Sequence, residues 1–347
     1  MIFCDGIILS QHQSNCKTLA GFRSIRYRES GDIKRDGTAS EAEEVIAENA
    51  SWAWIQGSHS TAIRVKSFEN VIALAGNPGR WGKPDNLFGL DLAGTIQAAN
   101  EIMSGQGLPV FVDGEPFAPL NGDCDLRYTG ARVWSIHLTR NYATGSQSNA
   151  EAVINWLDSQ SVARVKKSRL GASTVVWGSL KYCQTEAYIK ADEMLAHAKG
   201  DESKAAVKAS AEYQFALAQG IVRIEVKAAK DYLREKKLTY LGAWTMGTVH
   251  KIFEERTEIL NRVKIDAEEF NILDVPSKYR MTAAAWLKGD DVAHMFDSRV
   301  TLWRHAKVLR GFGIDISVPR NIKTFPVRVR TINLVPLDAP QFYRAAA

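Results

Sequence analysis

The sequence predicts an α+β fold of several strands and crossing helices. Two observations point there. Short runs such as Thr61–Ser67 (TAIRVKS) and Ala131–Asn141 (ARVWSIHLTRN) read as strands, the first alternating apolar and polar residues. Longer runs, Leu90–Ser104 and the Ala-, Lys- and Glu-rich stretch from Ala191 to Gln219, read as helices, and the two kinds interleave. At 347 residues the chain exceeds the usual single core, so two domains, or one with an appendage, are expected.

Hydrophobic content of 45% and charged content of 24% are ordinary for a soluble globular protein. The net charge of +5 permits nucleic-acid binding without requiring it. Cys4, Cys16, Cys124 and Cys183 are scattered with no CxxC pair, which argues against a zinc knuckle or disulfide framework and suits a reducing cytoplasm. No apolar run approaches a membrane span. The N-terminal IFCDGIILS is interrupted by Asp5 and lacks a basic leader, so it does not read as a signal peptide.

Ile2–Ser10 is the first expected strand, and its one carboxylate, Asp5, needs a partner or a functional cleft because an unpaired buried charge is costly. Strand character around Phe22–Arg28 is followed by an expected acidic helix over Ser40–Asn49. Ser51–Ser67 reads as one or two strands, with Arg64 and Lys66 on one face. The loop Asn77–Gly89 (NPGRWGKPDNLFG) frames Trp81 with Arg80 and Lys83; this suits a nucleic-acid backbone, and a structural Ω-loop equally. Leu90–Ser104 is amphipathic. On the expected buried strand Ala131–Asn141, Val133, Ser135, His137 and Thr139 share a face. A helix begins at Asn149–Asp158, Lys166–Arg169 is a small basic run, and Ser173–Lys181 is another strand.

The stretch Ala187–His197 (AYIKADEMLAH) concentrates chemistry. It offers Tyr188, Lys190, and then Asp192, Glu193 and His197 at helical spacing. A tyrosine attacking phosphorus needs a positive group and metal-binding or acid/base side chains. A packed ring beside a solvated amine is the bland alternative. After it come a two-part helix broken near Gly200–Asp201, a short strand Gly220–Val226, charged helices to about Val263, and a boundary at Asp274–Lys278 holding Pro276.

The C-terminal segment predicts a helix at Thr282–Leu287, a break at Gly289, a short helix Asp290–Phe296, and a helix from Arg299 to about Leu309 that Asp297 or Ser298 would cap. Arg299, Arg304, Lys307 and Arg310 cluster on or beside this last helix, around Trp303 and His305. The pattern is that of a helix-turn-helix with a basic recognition helix, or of a structural helical hairpin. Asn321–Pro336 reads as one or two strands.

Eight segments in order resemble the replication initiation proteins of filamentous bacteriophages, the gene II protein family. They are the Asp5 strand with QHQ after it, GSHSTAIRVKSFEN, GNPGRWGKPDNLFGLDL, VWSIHLTRNYATGS, STVVWG, YIKADEMLAH, GIVRIEVKAAKDYLREKKLTYLGAW and SRVTLWRHAKVLRGFGIDIS. They span nearly the whole chain.

The resemblance implies a rolling-circle initiator that binds a double-stranded phage origin and nicks one strand. A tyrosine becomes linked to the 5′ phosphate, leaving a 3′ hydroxyl for the host polymerase, and the displaced circle is later rejoined. It implies an antiparallel-sheet, HUH-like nicking core followed by a helical C-terminal region with a helix-turn-helix-like segment. The corresponding domains are a metal-dependent endonuclease over 1–200, a helical and strand extension over 201–275, and a DNA-binding domain over 276–347. By motif, Tyr188 is the nucleophile and Lys190 its companion, with Tyr182 the fallback.

Broader tyrosine nickases carry a His-hydrophobic-His pair on a central strand, and relatives in the resembled family tend toward Arg-x-Asp there. This chain has Ser135-Ile136-His137. Serine is a poor ligand, so His137 is expected to recruit Asp5 and Glu193, with His197 weaker, around Mg²⁺ or Mn²⁺. Arg80, Lys83, Arg299, Arg304, Lys307 and Arg310 are the expected DNA contacts. Single- and double-stranded origin DNA, a host helicase and polymerase, no membrane, and action in the cytoplasm of the bacterial host complete the expectation. A homo-oligomer on DNA stays open. A sequence-specific DNA-binding regulator without nicking activity is the alternative, and a basic α+β protein with no nucleic-acid role the blander one.

Overall fold

A computed structural model of the protein describes residues 1–13, 23–33, 39–50, 52–68, 70–119, 126–160, 167–261, 272–310, 312, 314–317 and 332–345. The chain divides into two compact units. One comprises Ile2–Leu138 and Lys227–Val249, the other Met1, Thr139–Val226 and His250–Ala347.

The first unit begins with β1 (Phe3–His12), in which Ile7 and Leu9 are buried. A hairpin of β2 (Arg23–Ile33) and β3 (Ala39–Ala50) follows. The acidic helix expected over Ser40–Asn49 is therefore a strand. Its register with β2, which sets Arg28 opposite Glu44 and Glu29 opposite Glu43, is a long-range pairing no local propensity reveals. Next come β4 (Ala53–Gln56), β5 (Ala62–Phe68) and β6 (Val71–Gly76), then α1 (Leu92–Gly105), which Asp91 caps by accepting from the Gly94 amide. The short β7 (Pro116–Phe117) and β8 (Arg127–Tyr128) pair with each other. The hydrogen-bonding order is β4-β5-β6-β1 and then β9 (Arg132–Ala143), with antiparallel pairing from β4 to β1. The β4–β5 turn holds His59 (φ 54°) and Ser60 (φ 56°) in the left-handed region, the conformation of a type I′ hairpin turn.

Strand β9 runs on into the second unit, which continues with α2 (Gln147–Ser159), β10 (Lys167–Leu170), β11 (Thr174–Ser179) and β12 (Cys183–Ile189). The two-part helix expected over Ala191–Gln219 is in three parts: α3 (Lys190–His197), α4 (Asp201–Ala209) and α5 (Ala211–Gln219). Ser210 makes the second break, its hydroxyl capping α5 by accepting from the Tyr213 amide. Helix α5 ends at Gly220 in the left-handed conformation (φ 56°), where an added Cβ would lie 2.0 Å from the Ser146 carbonyl oxygen. Only glycine fits there, and it turns the chain into β13 (Ile221–Ala229). The order in this unit is β10-β11-β12-β13-β9.

Strand β13 passes back into the first unit, where α6 (Lys230–Glu235) follows; α7 (Met246–Asn261) leads out of it. The C-terminal part contains α8 (Ser277–Lys288), starting after Pro276 and stopping at left-handed Gly289, a 3₁₀ turn Val292–Met295, and α9 (Arg299–Arg310). A small core of Val275, Ala283, Trp286, Val292, Ala306, Leu309, Ile314 and Ile316 holds these elements together. The connection over 289–298 is longer than the three- or four-residue turn of a helix-turn-helix. Of the expected strands over Asn321–Pro336, residues 318–331 lie outside the described residues; β14 (Val335–Pro336) pairs with β9, and α10 (Gln341–Ala345) follows. Among the described residues no helix is long and apolar enough to cross a membrane.

Candidate active site

The strand-to-helix junction β12–α3 is where the second unit gathers reactive side chains. Strand β12 is paired with β11, Thr174 opposite Tyr188, and lies next to β13. Tyr188 is 7% exposed and its hydroxyl donates to Oε1 of Glu225 on β13 at 2.5 Å. Glu225 is also only 7% exposed, so a phenol and a carboxyl share a proton-transfer distance where water is largely excluded. On the same strand Arg223, fully buried, donates from Nε to Oδ1 of Asn141 on β9 at 2.8 Å.

Helix α3 starts immediately after the tyrosine strand, and that change of geometry sets Lys190 and Glu193 three residues apart on one face. Lys190 is 1% exposed, and its ammonium donates to Oε2 of Glu193 at 2.6 Å. Glu193 also meets Nε2 of the exposed His197 at 3.3 Å. Asp192 accepts from the Gln147 amide at 3.0 Å; burial raises its carboxyl above the ordinary range, against the opposing pull of that bond. Thus Lys190, Glu193 and His197 form a chain beside the tyrosine strand.

The remaining expected metal ligands, Asp5 and His137, belong to the first unit. Asp5 accepts from Nδ2 of Asn77 at 2.5 Å and from Nδ2 of Asn86 at 3.4 Å. The Asn77 amide is oriented by the Arg80 backbone N–H, which donates to its Oδ1 at 3.0 Å. His137 lies against Gly6, where an added Cβ would stand 3.0 Å from Nδ1. Among the described residues no three His, Cys, Asp or Glu side chains gather as a metal-holding group.

Of the expected DNA contacts, Arg80 and Lys83 are half-buried in the loop after β6, where Arg80 ends a 3₁₀ turn. Arg299, Arg304 and Lys307 are exposed on α9, and Lys307 lies 5.5 Å from the Trp303 ring centre. Arg310 instead pairs with the buried Asp315 (Nε to Oδ1, 3.5 Å). His305 does not stand among these cations: it faces the small core, with Nδ1 3.0 Å from the Thr282 hydroxyl and its ring edge-on to Tyr279 and Phe296. Its neighbours Leu302, Ala306 and Leu309 mark the inward stripe of α9.

Sequence reasoning missed Glu225 and Arg223. The available signal was two charged residues at alternate positions of the otherwise apolar GIVRIEV, which puts both on one face of a strand.

A family model for the N-terminal part of the phage replication-associated protein, the gene II product, matches residues 15–247, and one for its C-terminal part matches residues 269–347. The replication-associated protein of this kind from Escherichia phage If1 is 27% identical over 309 residues, covering 79% of this chain and 94% of the relative. The protein of the same description from Enterobacteria phage I2-2 is 24% identical over 309 residues, covering 84% and 83%. The class is thus a replication-associated protein of α+β architecture. The chain belongs to the gene II family of replication-associated proteins.

Proposed function

We propose that the protein is a rolling-circle replication initiator: a strand-specific endonuclease and strand transferase that nicks double-stranded phage DNA through Tyr188. The observation that carries this reading is the Tyr188–Glu225 hydrogen bond at 2.5 Å, in a member of a replication-associated family.

In the reaction, the Tyr188 oxygen attacks the scissile phosphorus and its proton passes to Glu225. The new bond is Oη–P and the broken bond is P–O3′; the leaving 3′ oxygen takes up a proton and becomes the free hydroxyl that primes synthesis. The phosphodiester energy is kept in the tyrosyl ester, so the reverse attack by a 3′ hydroxyl rejoins the strand without ATP. Lys190 supplies positive charge beside the phosphate, with Glu193 fixing its position. Phosphoryl-transfer chemistry adds a requirement for Mg²⁺ or Mn²⁺. Among the described residues no group of three His, Cys, Asp or Glu side chains gathers to hold it. A host helicase and polymerase, and action in the bacterial cytoplasm, belong to this reading through the family resemblance.

One observation favours a second nucleophile. Tyr188 is 7% exposed, so a DNA strand has to uncover its oxygen, whereas Tyr182, before β12, is 36% exposed. The test is nicking of supercoiled plasmid carrying the parent phage's intergenic region, with Mg²⁺ or Mn²⁺. Loss in Tyr188→Phe with retention in Tyr182→Phe supports Tyr188, and the reverse transfers the role. Tight origin binding with no nicking by the parent protein would favour the DNA-binding regulator instead.

A further inference from the structure

The first unit carries an aromatic and cationic surface that the nicking chemistry does not use. Strand β4 is the last strand of the order given above. Trp54 on it is 63% exposed and Trp52, two residues earlier, is 37% exposed. Their even spacing puts both on one face. Arg64, register partner of Trp54 on β5, holds its guanidinium 5.4 Å from the Trp52 ring centre and 5.6 Å from that of Trp54. Lys66 shares this face, because the alternate residues Ile63, Val65 and Ser67 point into the core. Among the described side chains, which do not include those of the neighbouring strand β3, neither Arg64 nor Lys66 forms an ion pair.

The loop after β6 is fastened to the β4–β5 turn. The Ser58 hydroxyl donates to the Gly82 carbonyl at 3.3 Å, and the Gly82 amide donates to Oγ1 of Thr61 at 3.3 Å. The Trp81 ring covers Gly57 so closely that an added Cβ would meet it at 3.2 Å. These bonds bring Arg80 and Lys83 to the same hairpin.

We propose that the β4–β5 edge, with Trp52, Trp54, Arg64 and Lys66, is a stacking surface for single-stranded DNA, with Arg80 and Lys83 adding phosphate contacts. Exposed indole rings offer faces on which unpaired bases stack, and the cations beside them match a phosphate backbone. A duplex keeps its base faces internal, so the rings distinguish a single strand from a duplex while the cations alone do not. The choice of DNA over RNA rests on the proposed replication function; the surface itself does not depend on Tyr188.

The test is fluorescence anisotropy in EDTA, where no nicking occurs. Its probes are a labelled thymidine oligonucleotide of about 12 nucleotides, a blunt duplex of equal length and a uridine oligonucleotide. Trp54→Ala should weaken single-strand DNA binding about five- to hundred-fold and leave duplex binding nearly unchanged. Arg64→Gln should lower the single-strand salt slope by about 0.7. Unchanged thermal midpoints verify folding, as expected at exposed positions. Single-strand affinity unaltered in both variants, equal losses on duplex, or a loss confined to the RNA probe would overturn the proposal. Absence of a Tyr188 adduct with the Trp54 effect intact would overturn the nicking reading and leave the stacking surface standing.

Discussion

The phenol of Tyr188 on β12 donates to the carboxyl of Glu225 on β13 at 2.5 Å, across adjacent strands and thirty-seven residues of sequence. A bond of that length makes the carboxyl the natural acceptor of the tyrosine proton, and it gives the account its first test. Glu225→Gln keeps the side chain's size and an acceptor oxygen but removes the base. Single-turnover adduct formation should slow by about 10²–10⁴-fold and become more dependent on added hydroxide. An unchanged rate and pH profile would reduce Glu225 to a packing role.

Lys190 is buried while Glu193, its partner, is partly solvated. Glu193→Ala leaves the ammonium in the interior without that carboxylate, and should cost about 2 kcal/mol. Replacing both, as Lys190→Met with Glu193→Ala, should recover most of that stability and still form no adduct. Urea unfolding together with the adduct assay separates the two effects; full activity of the double variant would remove Lys190 from the mechanism.

Gly220 turns α5 into the strand that carries Glu225, at φ 56° and against the Ser146 carbonyl. Gly220→Ala should destabilise the protein by about 2–4 kcal/mol, because strain and a backbone clash act together. Chemical denaturation measures it, and a loss below about 1 kcal/mol would contradict the packing described.

Burial, and secondarily the charge of Lys278, lowers the His305 pKa below its ordinary 6.5. A base whose folded value is depressed is neutral in both states above 6.5, where its stability is fully present. As pH falls below 6.5 the unfolded chain takes up the proton first, and stability is lost down to the folded value. Thermal midpoints should therefore decline as pH falls below about 6.5, and His305→Gln should flatten that decline. Equal slopes for the two proteins would contradict it.

On α9, Arg304 is exposed whereas Arg310 pairs with buried Asp315. Arg304→Ala should weaken origin-duplex binding and lower its salt slope by about 0.9 without changing stability. Arg310→Ala should chiefly lower the thermal midpoint. An unaltered affinity and slope for Arg304→Ala would remove α9 from the DNA contacts.

Much of this arrangement is legible in the sequence where periodicity is strong. The alternation of Thr61–Ser67, the apolar run of Ile2–Ser10 and the spacing of Leu90–Ser104 each became the expected element. The residues over Ala39–Ala50 misled because a glutamate-rich run looks helical until its partner strand is known. Strand β6, VIALAG, is too short and uniformly apolar to show a period. Tyr188 and Lys190 could be read as a pair because they are two residues apart. Glu225 could not be joined to them, since only the pairing of β12 with β13 makes them neighbours. In sequence His305 stands among basic residues, although Leu302, Ala306 and Leu309 at helical spacing place it on the inward stripe.

The most direct measurement is peptide mass spectrometry after incubation with supercoiled origin DNA and Mg²⁺ or Mn²⁺, followed by nuclease and protease digestion. The account predicts a nucleotide joined to the peptide containing Tyr188, fragmenting at that residue and absent from Tyr188→Phe. A nucleotide on Tyr182, or nicked DNA whose 5′ ends carry no protein, would contradict it.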